Sequence, residues 1–328
     1  MEPEIRLSVV TSLYRSARHL DEFYRRTVAA ASALTDAFEI ILVNDGSPDD
    51  SLARALRLRE GDGRVRIIDL SRNFGHYKAL MTGLAHARGQ VVFLIDSDLE
   101  EEPEWLLPFH DAFLRAGVDV VYGVQRTRKG GWLERATGAM FYRVLNPLLT
   151  HPIPPNVVTA RLMSRRYVQA LVQHRDREIC LAGLWVSTGF EQLPFDVDKG
   201  TRGETSYSVR RRISALVSAV TSFSNRPLIY VFYVGTIVMV GSLVAAAALI
   251  VQTFNHGIGV PGYPSLMVSI WFLGGLMIFS IGIVGVYVAK VFTEVKDRPY
   301  TIVRAEYGGA PTHDQPANPR AGSTVLRG

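Results

Sequence analysis

The chain has 328 residues, 48% hydrophobic and 20% charged, with 36 Lys and Arg against 31 Asp and Glu for a formal net charge of +5. The apolar content excludes disorder over most of the chain, and a small, dispersed positive excess leaves no nucleic-acid footprint. Cys180 is the single cysteine, so no intrachain disulfide can form and a cysteine-based zinc site is not supported. The opening Met1-Glu2-Pro3-Glu4 is acidic and lacks the apolar core of a secretory signal.

In chain order, short β-rich runs fall at residues 7–11, 40–43, 65–69, 91–95 and 118–122. Helical stretches lie between them, near 19–34, 51–60, 77–87 and 103–116. Near-continuous apolar strands alternating with helices predict a parallel sheet covered on both faces. In such sheets ligands bind outside the carboxyl ends of the strands. No GxGxxG follows the first strand, so a dinucleotide redox fold is not supported.

Three strand ends turn abruptly polar: Asn44-Asp45-Gly46-Ser47, then Asp69-Leu70-Ser71-Arg72-Asn73-Phe74-Gly75-His76, then Asp96-Ser97-Asp98. Carboxylates at adjacent strand ends would face one cleft, and such a set suits a divalent cation holding a diphosphate. A second pair, Asp196-Val197-Asp198, lacks the strand–turn–helix frame and reads as a solvated loop. For His76 and Lys78 a donor contact and a structural role stay equally open.

Further along, Ile213, Leu216, Val217, Val220 and Phe223 recur at intervals of three and four behind Arg210, Arg211 and Arg212. That pattern suits an interfacial amphipathic helix over residues 207–226, arginines against lipid phosphates, or a helix packed on its own domain. No charged residue lies between Pro227 and Ala289; at the chain's 20% share those 63 residues would carry about 13. Within them, runs 228–251 and 266–289 each have 24 uncharged residues. Each reaches about 36 Å as a helix, enough to cross a hydrocarbon core of about 30 Å. Basic residues flank the pair, and the loop 252–265 has no Lys or Arg. The positive-inside rule then predicts a transmembrane helical hairpin with the soluble domain and both termini cytoplasmic. Residues 291–328 read as a cytoplasmic tail whose Gly-, Pro- and Ala-rich end is disordered.

The ordered set Ile41-Leu42-Val43-Asn44-Asp45-Gly46-Ser47, Leu70-Ser71-Arg72-Asn73-Phe74-Gly75-His76, Val92-Phe93-Leu94-Ile95-Asp96-Ser97-Asp98-Leu99 and Asp119-Val120-Val121-Tyr122-Gly123 resembles glycosyltransferase family 2. With Arg202-Gly203-Glu204-Thr205-Ser206-Tyr207-Ser208 and the two apolar runs, it is similar to the polyprenyl-phosphate glycosyltransferases, the group of dolichyl-phosphate mannose synthase. The resemblance implies an α/β GT-A domain over residues 1–206, a nucleotide-diphosphate sugar as donor and a polyprenyl phosphate as acceptor. It implies Mg2+ or Mn2+ at Asp96, Asp98 and Glu100, with Asp45 and Asp96 toward the nucleotide sugar. Asp98 and Arg202 would act in catalysis, Arg202 facing the phosphates, and Arg210, Arg211 and Arg212 would meet the lipid phosphate. It is also compatible with a homo-oligomer in a bacterial inner membrane. A membrane transferase with a hydroxyl acceptor is the alternative, and a non-catalytic scaffold a more distant one.

Four departures from the group stand out: Tyr14-Arg15-Ser16 replaces Tyr-Asn-Glu, and Asn44 replaces an aspartate. Glu100-Glu101-Glu102 replaces a more neutral run, and Val158-Thr159-Ala160-Arg161-Leu162 lacks the acid of a Gly-Asp-Phe-Arg-Leu element.

Overall fold

The computed structural model describes residues 5–125, 154–174, 176–177, 179–198, 226, 228–238, 240–241, 244, 262–296 and 298–308. In chain order these form β1 (Leu7–Leu13), α1 (Ala17–Ser32), β2 (Phe38–Asn44), α2 (Ser51–Gly61), β3 (Val65–Leu70), α3 (His76–His86) and β4 (Val91–Leu94). A 3-10 turn, Pro103–Trp105, leads into α4 (Leu106–Ala116), followed by β5 (Val120–Gln125), β6 (Val157–Ser164), α5 (Arg165–Leu171), α6 (Leu181–Ser187) and β7 (Gln192–Val197). Then come α7 (Leu228–Val238), α8 (Tyr263–Val295) and β8 (Val303–Tyr307).

Every residue of β1, β2 and β3 is buried, which explains their largely apolar make-up, and inside the sheet the polar residues Ser8 and Arg66 donate to Glu39. Successive strand residues point to opposite faces. Val9, Ile40, Leu42, Ile67 and Phe93 therefore pack with Leu20 and Phe23 of α1 and Phe109 of α4. Their neighbours Val10, Ile41, Val43, Ile68 and Leu94 pack on the opposite side with Leu80, Met81 and Leu84 of α3.

The eight strands run in the order β7-β5-β6-β4-β1-β2-β3-β8. Only part of this sheet is the parallel one expected. β3, β2, β1 and β4 are parallel, but β6 lies antiparallel between β4 and β5, and β8 is antiparallel to β3. The sheet is mixed because its flanks are built from segments that return from the far end of the domain. β1 and β4 are neighbours while β2 and β3 lie on the other side of β1, so the strand order reverses at β1/β4, the usual ligand crevice. Asp196 corrects another expectation: it is exposed, but it lies in edge strand β7, not in a loop.

Helix α8 has 33 residues, about 50 Å at 1.5 Å per residue. Its stretch Phe272–Val295 has a mean hydropathy of 2.2 and is unburied, the one helix among the described residues long and apolar enough to cross a membrane. The expected run 266–289 lies inside it, and the helix continues past Lys290 to Val295. There the Arg177 backbone N–H donates to Glu294 Oε1 at 2.9 Å. Of the first expected run, the described part includes the shorter apolar helix α7. The segment read as a tail supplies β8, and Thr301 meets Thr82 at 2.8 Å just before it. The amphipathic segment up to residue 225, with Arg202, Arg210, Arg211 and Arg212, lies outside the described residues, as do residues 309–328.

Candidate active site

Asp45 follows β2 directly and is 1% exposed. Its backbone N–H donates to the Leu13 carbonyl at the end of β1. Its carboxylate accepts from the N–H groups of Phe74 (2.7 Å) and Gly75 (3.0 Å), and Asn73 Nδ2 donates to its carbonyl at 3.1 Å. Asp45 thus ties the loop after β2 to the loop after β3. Gly46 makes the contact possible. Its φ is +58°, and a Cβ there would stand 2.5 Å from the backbone C of Arg72 and N of Asn73. Next to it, Ser47 and Ser51 donate to Asp49, as do the N–H groups of Ala17 and Ser51. Burial opposes the Asp49 charge, but these donors outweigh it and hold the carboxyl at about 2.

Asp96 stands just past β4 at the switch point. Thr159 Oγ1 of β6 donates to its Oδ2 at 3.0 Å, and His76 Nε2 lies 3.3 Å from its Oδ1. The other ring nitrogen of His76 is 2.9 Å from Ser12 Oγ on β1. Burial works against the imidazolium, but Asp96, with Glu101 and Asp45, outweighs it and raises the His76 pKa. His76 therefore has a structural part in the site, holding Asp96. Glu101, fully buried, accepts from the N–H of Thr159 (2.9 Å) and of Asp96 (3.4 Å). Arg161 is 1% exposed with its guanidinium over the Trp185 ring. Burial lowers it to about 9 against the pull of Tyr167, Glu101 and Tyr122.

Asp98 and Glu100 face a cleft of 540 Å³ that is also lined by Tyr14, Arg15, Ser16, Arg18 and His19. Leu99 between them has φ +63°, a left-handed turn in which Asp98 Oδ1 accepts from the Glu100 N–H at 2.9 Å. Lys78 lies on α3, its pKa lowered by burial and then by the like charges of Arg72 and Arg177, with Glu294 of α8 opposing.

The expected three-carboxylate metal set is not assembled as a cage. Among the described residues no group of three or more His, Cys, Asp or Glu is placed to hold an ion. The turn at Leu99 sends Asp98 and Glu100 toward the cleft, while Asp96 is engaged by His76 and Thr159. The donor chemistry still fits a divalent cation, because Mg2+ commonly takes one or two carboxylates and completes its shell with water and substrate phosphates. Asp45 and Asp96 are not among the residues lining the cleft. Ser12, Asp49, Glu101 and Thr159 went unrecognised in the sequence. The signal for two of them was present: Ser12 follows the apolar run at the start of β1, and Thr159 stands where the resembled group has an acid.

Residues 8–172 match the family described as glycosyl transferase family 2. The chain is 50% identical over 314 residues to a Mycobacterium tuberculosis protein named as a glycosyltransferase, covering 96% of this chain and 92% of that one. It is 32% identical over 310 residues to the SfII prophage-derived bactoprenol glucosyl transferase of Shigella flexneri, covering 94% of this chain and all of that one. Among solved structures, a mannosyltransferase from Pyrobaculum calidifontis in complex with GDP-Man and Mn2+ aligns with a TM-score of 0.48 and 16% identity, over 90% of this chain and 89% of that one.

Proposed function

The chain belongs to glycosyl transferase family 2 and is a glycosyltransferase, and from that premise we propose that it moves a sugar from a nucleotide-diphosphate sugar to a polyprenyl phosphate in the membrane. Its likeness to the bactoprenol glucosyl transferase over nearly the whole of both chains supports this acceptor. The observation that carries the reading is the path of the chain. It leaves the sheet after β7, includes a membrane-length helix, and returns as β8 to pair with β3. A chain that returns to the same sheet crosses a membrane an even number of times. That supports the two-pass hairpin, with runs 228–251 and 266–289 as its arms and the cleft on the cytoplasmic side.

The reaction is a single displacement. An oxygen of the lipid phosphate bonds to the anomeric carbon as the bond from that carbon to the nucleotide diphosphate breaks, and the electron pair leaves with the diphosphate. The anomeric configuration inverts. One or two of Asp96, Asp98 and Glu100 would hold a divalent cation that neutralises charge on the departing diphosphate. Ser12, His76 and Thr159 fix Asp96, while Asp45 and Asp49 fix the loops around the nucleotide. The acceptor phosphate is already anionic at neutral pH and requires no general base. Arg202 is assigned to the leaving phosphates. Arg210, Arg211 and Arg212 are assigned to surface capture of the lipid phosphate, each worth about 1 kcal/mol near an anionic surface.

The test uses membranes carrying the enzyme, a panel of nucleotide sugars, and undecaprenyl phosphate present or absent, with mass analysis of the lipid product. A new glycosyl phosphoryl lipid is expected only when the lipid phosphate is added. Transfer to a hydroxyl acceptor without it would overturn the reading. For topology, reporters at the N-terminus and at Gly259 should read cytoplasmic and external.

A further inference from the structure

Arg304 counts, in the sequence, among the basic residues flanking the second apolar run. In the fold it belongs to the catalytic sheet. β8 pairs with β3 in a register that sets Ala305 against Asp69 and Val303 against Leu70, with a shift between them. From that edge the Arg304 side chain reaches over the end of β3. Its Nη1 lies 3.5 Å from Asp69 Oδ2, and its Nη2 donates to the Ser71 carbonyl at 2.5 Å.

Asp69 is a carboxylate with a side chain 2% exposed, whereas that of Arg304 is 56% exposed. A buried carboxylate is costly unless paired and hydrogen-bonded. Its other oxygen accepts from Asn44 Nδ2 at 2.7 Å, and Asn44 Oδ1 in turn accepts from the Ser47 N–H at 3.3 Å. Asn44 and Asp69 are direct partners across β2 and β3. The contacts therefore run unbroken from Arg304 through Asp69 and Asn44 to the Asp45-Gly46-Ser47 turn. The second arm of Arg304, on Ser71, holds the start of the loop whose Phe74 and Gly75 N–H groups bind Asp45.

We propose that Arg304 is a positioning residue for the nucleotide end of the donor site. It sets the Asp45–Ser47 turn through Asp69 and Asn44, from a strand that follows the membrane helix. The inference rests on the donor assignment above. It adds that the segment after the membrane helix completes the donor site as well as closing the sheet. Only a short connection separates the end of α8 at Val295 from the start of β8 at Val303, so the placement of the membrane helix and that of the donor loops are tied together.

The experiment compares full-length wild type, Arg304→Gln, Arg304→Lys, Asp69→Asn and the double variant Arg304→Gln/Asp69→Asn in nanodiscs. Binding of UDP, GDP, CDP, ADP and dTDP is measured first, then steady-state kinetics with each substrate varied. Arg304→Gln leaves the buried Asp69 carboxylate without its cation, so melting temperature is measured on every variant, and the double variant, which removes that carboxylate, separates loss of fold from loss of positioning. Arg304→Gln should weaken binding of the nucleotide that wild type prefers, and raise donor KM, by about tenfold. Its kcat and its requirement for undecaprenyl phosphate should stay within twofold of wild type. Arg304→Lys, which can meet Asp69 but cannot span to Ser71, should recover part of the loss. The double variant should lose less than the product of the single losses, because the neutral amide that replaces the Asp69 carboxylate no longer needs the cation. Hydrogen exchange in residues 44–47 and 71–75 should rise in Arg304→Gln.

Unchanged nucleotide binding in Arg304→Gln, or a loss of kcat and melting temperature without a donor KM shift, would overturn the positioning role. Independent losses in the double variant would do the same. If wild type binds none of the five nucleotides, it is the donor assignment itself that fails, a result distinct from any of these.

Discussion

Gly46 offers a direct test of whether the loops after β2 and β3 are pressed together in solution. Two separate costs fall on Gly46→Ala. The residue sits at φ +58°, where an L side chain is disfavoured by about 1–2 kcal/mol. Its new methyl group would also stand 2.5 Å from two backbone atoms of Arg72 and Asn73, which cannot rotate aside. Overpacking of that kind typically adds about 1–3 kcal/mol. Gly117 separates the two costs, for it caps α4 at φ +65° with nothing within 4 Å of an added Cβ. Gly117→Ala should therefore carry only the backbone cost. At about 2–4 °C per kcal/mol for a domain of this size, Gly46→Ala should melt about 10 °C below wild type and Gly117→Ala about 4 °C below. The displaced Arg72–Asn73 backbone also moves the N–H groups that hold Asp45. Donor KM should thus rise at least tenfold in Gly46→Ala and stay unchanged in Gly117→Ala. Thermal melts in detergent and donor-varied kinetics on both variants measure these effects. Equal melting shifts with unchanged donor KM would refute the close approach of the two loops.

Asp98→Ala should lower kcat by at least about 100-fold with an unchanged melting temperature, since it removes a charge facing the cleft and no core contact. Asp196→Ala, exposed on β7, should stay within twofold of wild type; a comparable loss there would mean that the acidic site had been placed on the wrong pair. Glu39 is buried, accepting from Ser8, the Arg88 backbone and the Arg66 and Arg88 guanidiniums, so Glu39→Gln should cost about 3–5 kcal/mol and more than about 6 °C of melting temperature. Asp62, its side chain 10% exposed, is held at about 2 chiefly by Arg64, against burial. A depressed carboxylate pKa stabilises the fold above the unfolded value of 3.8 and loses that effect as pH falls toward 2. Asp62→Asn should thus melt lower than wild type at pH 7, by about 2 kcal/mol, and the gap should close between about pH 4 and pH 2 in a pH series of melts.

The sheet centre was legible because β1, β2 and β3 are buried on both faces and so are mostly apolar, with Val9-Val10, Ile40-Ile41-Leu42-Val43 and Ile67-Ile68 at their centres. The site was legible where those runs stop, since a polar residue after a buried strand stands out: Asp45 after β2, Asp96 after β4. The flanks were not. β7 contains Pro194, which reads as a strand breaker but is tolerated at an edge, where no partner needs its missing N–H. β8 pairs with a strand far earlier in the chain, and nothing local in Val303–Tyr307 announces its partner. Thr159 and Asp96 are 63 residues apart, and their contact exists only because β6 turns back antiparallel to β4. The metal set was carried over from the resemblance, residue by residue along the chain. Position in a motif cannot show that the left-handed turn at Leu99 divides Asp96 from Asp98 and Glu100.

The departure at Thr159 bears on which acceptor the cleft can serve. Its hydroxyl donates to Asp96 and its N–H to Glu101, so two acids are each met by a donor from one residue. An aspartate in its place would set a third carboxylate within hydrogen-bonding distance of Asp96. Like charges that close force one of the pair to take up a proton, weakening whatever the ionised pair would hold. Threonine supplies a donor there instead and fixes the orientation of Asp96. Asp96 and Glu101 are thereby both engaged by Thr159 and not set aside to deprotonate an incoming group. Nor is His76 a free base, because one ring nitrogen meets Ser12 and the other faces Asp96. A sugar or lipid hydroxyl would need such a base to attack the anomeric carbon. A phosphate monoester does not, so with that acceptor the engagement of Asp96, Glu101 and His76 costs the reaction nothing.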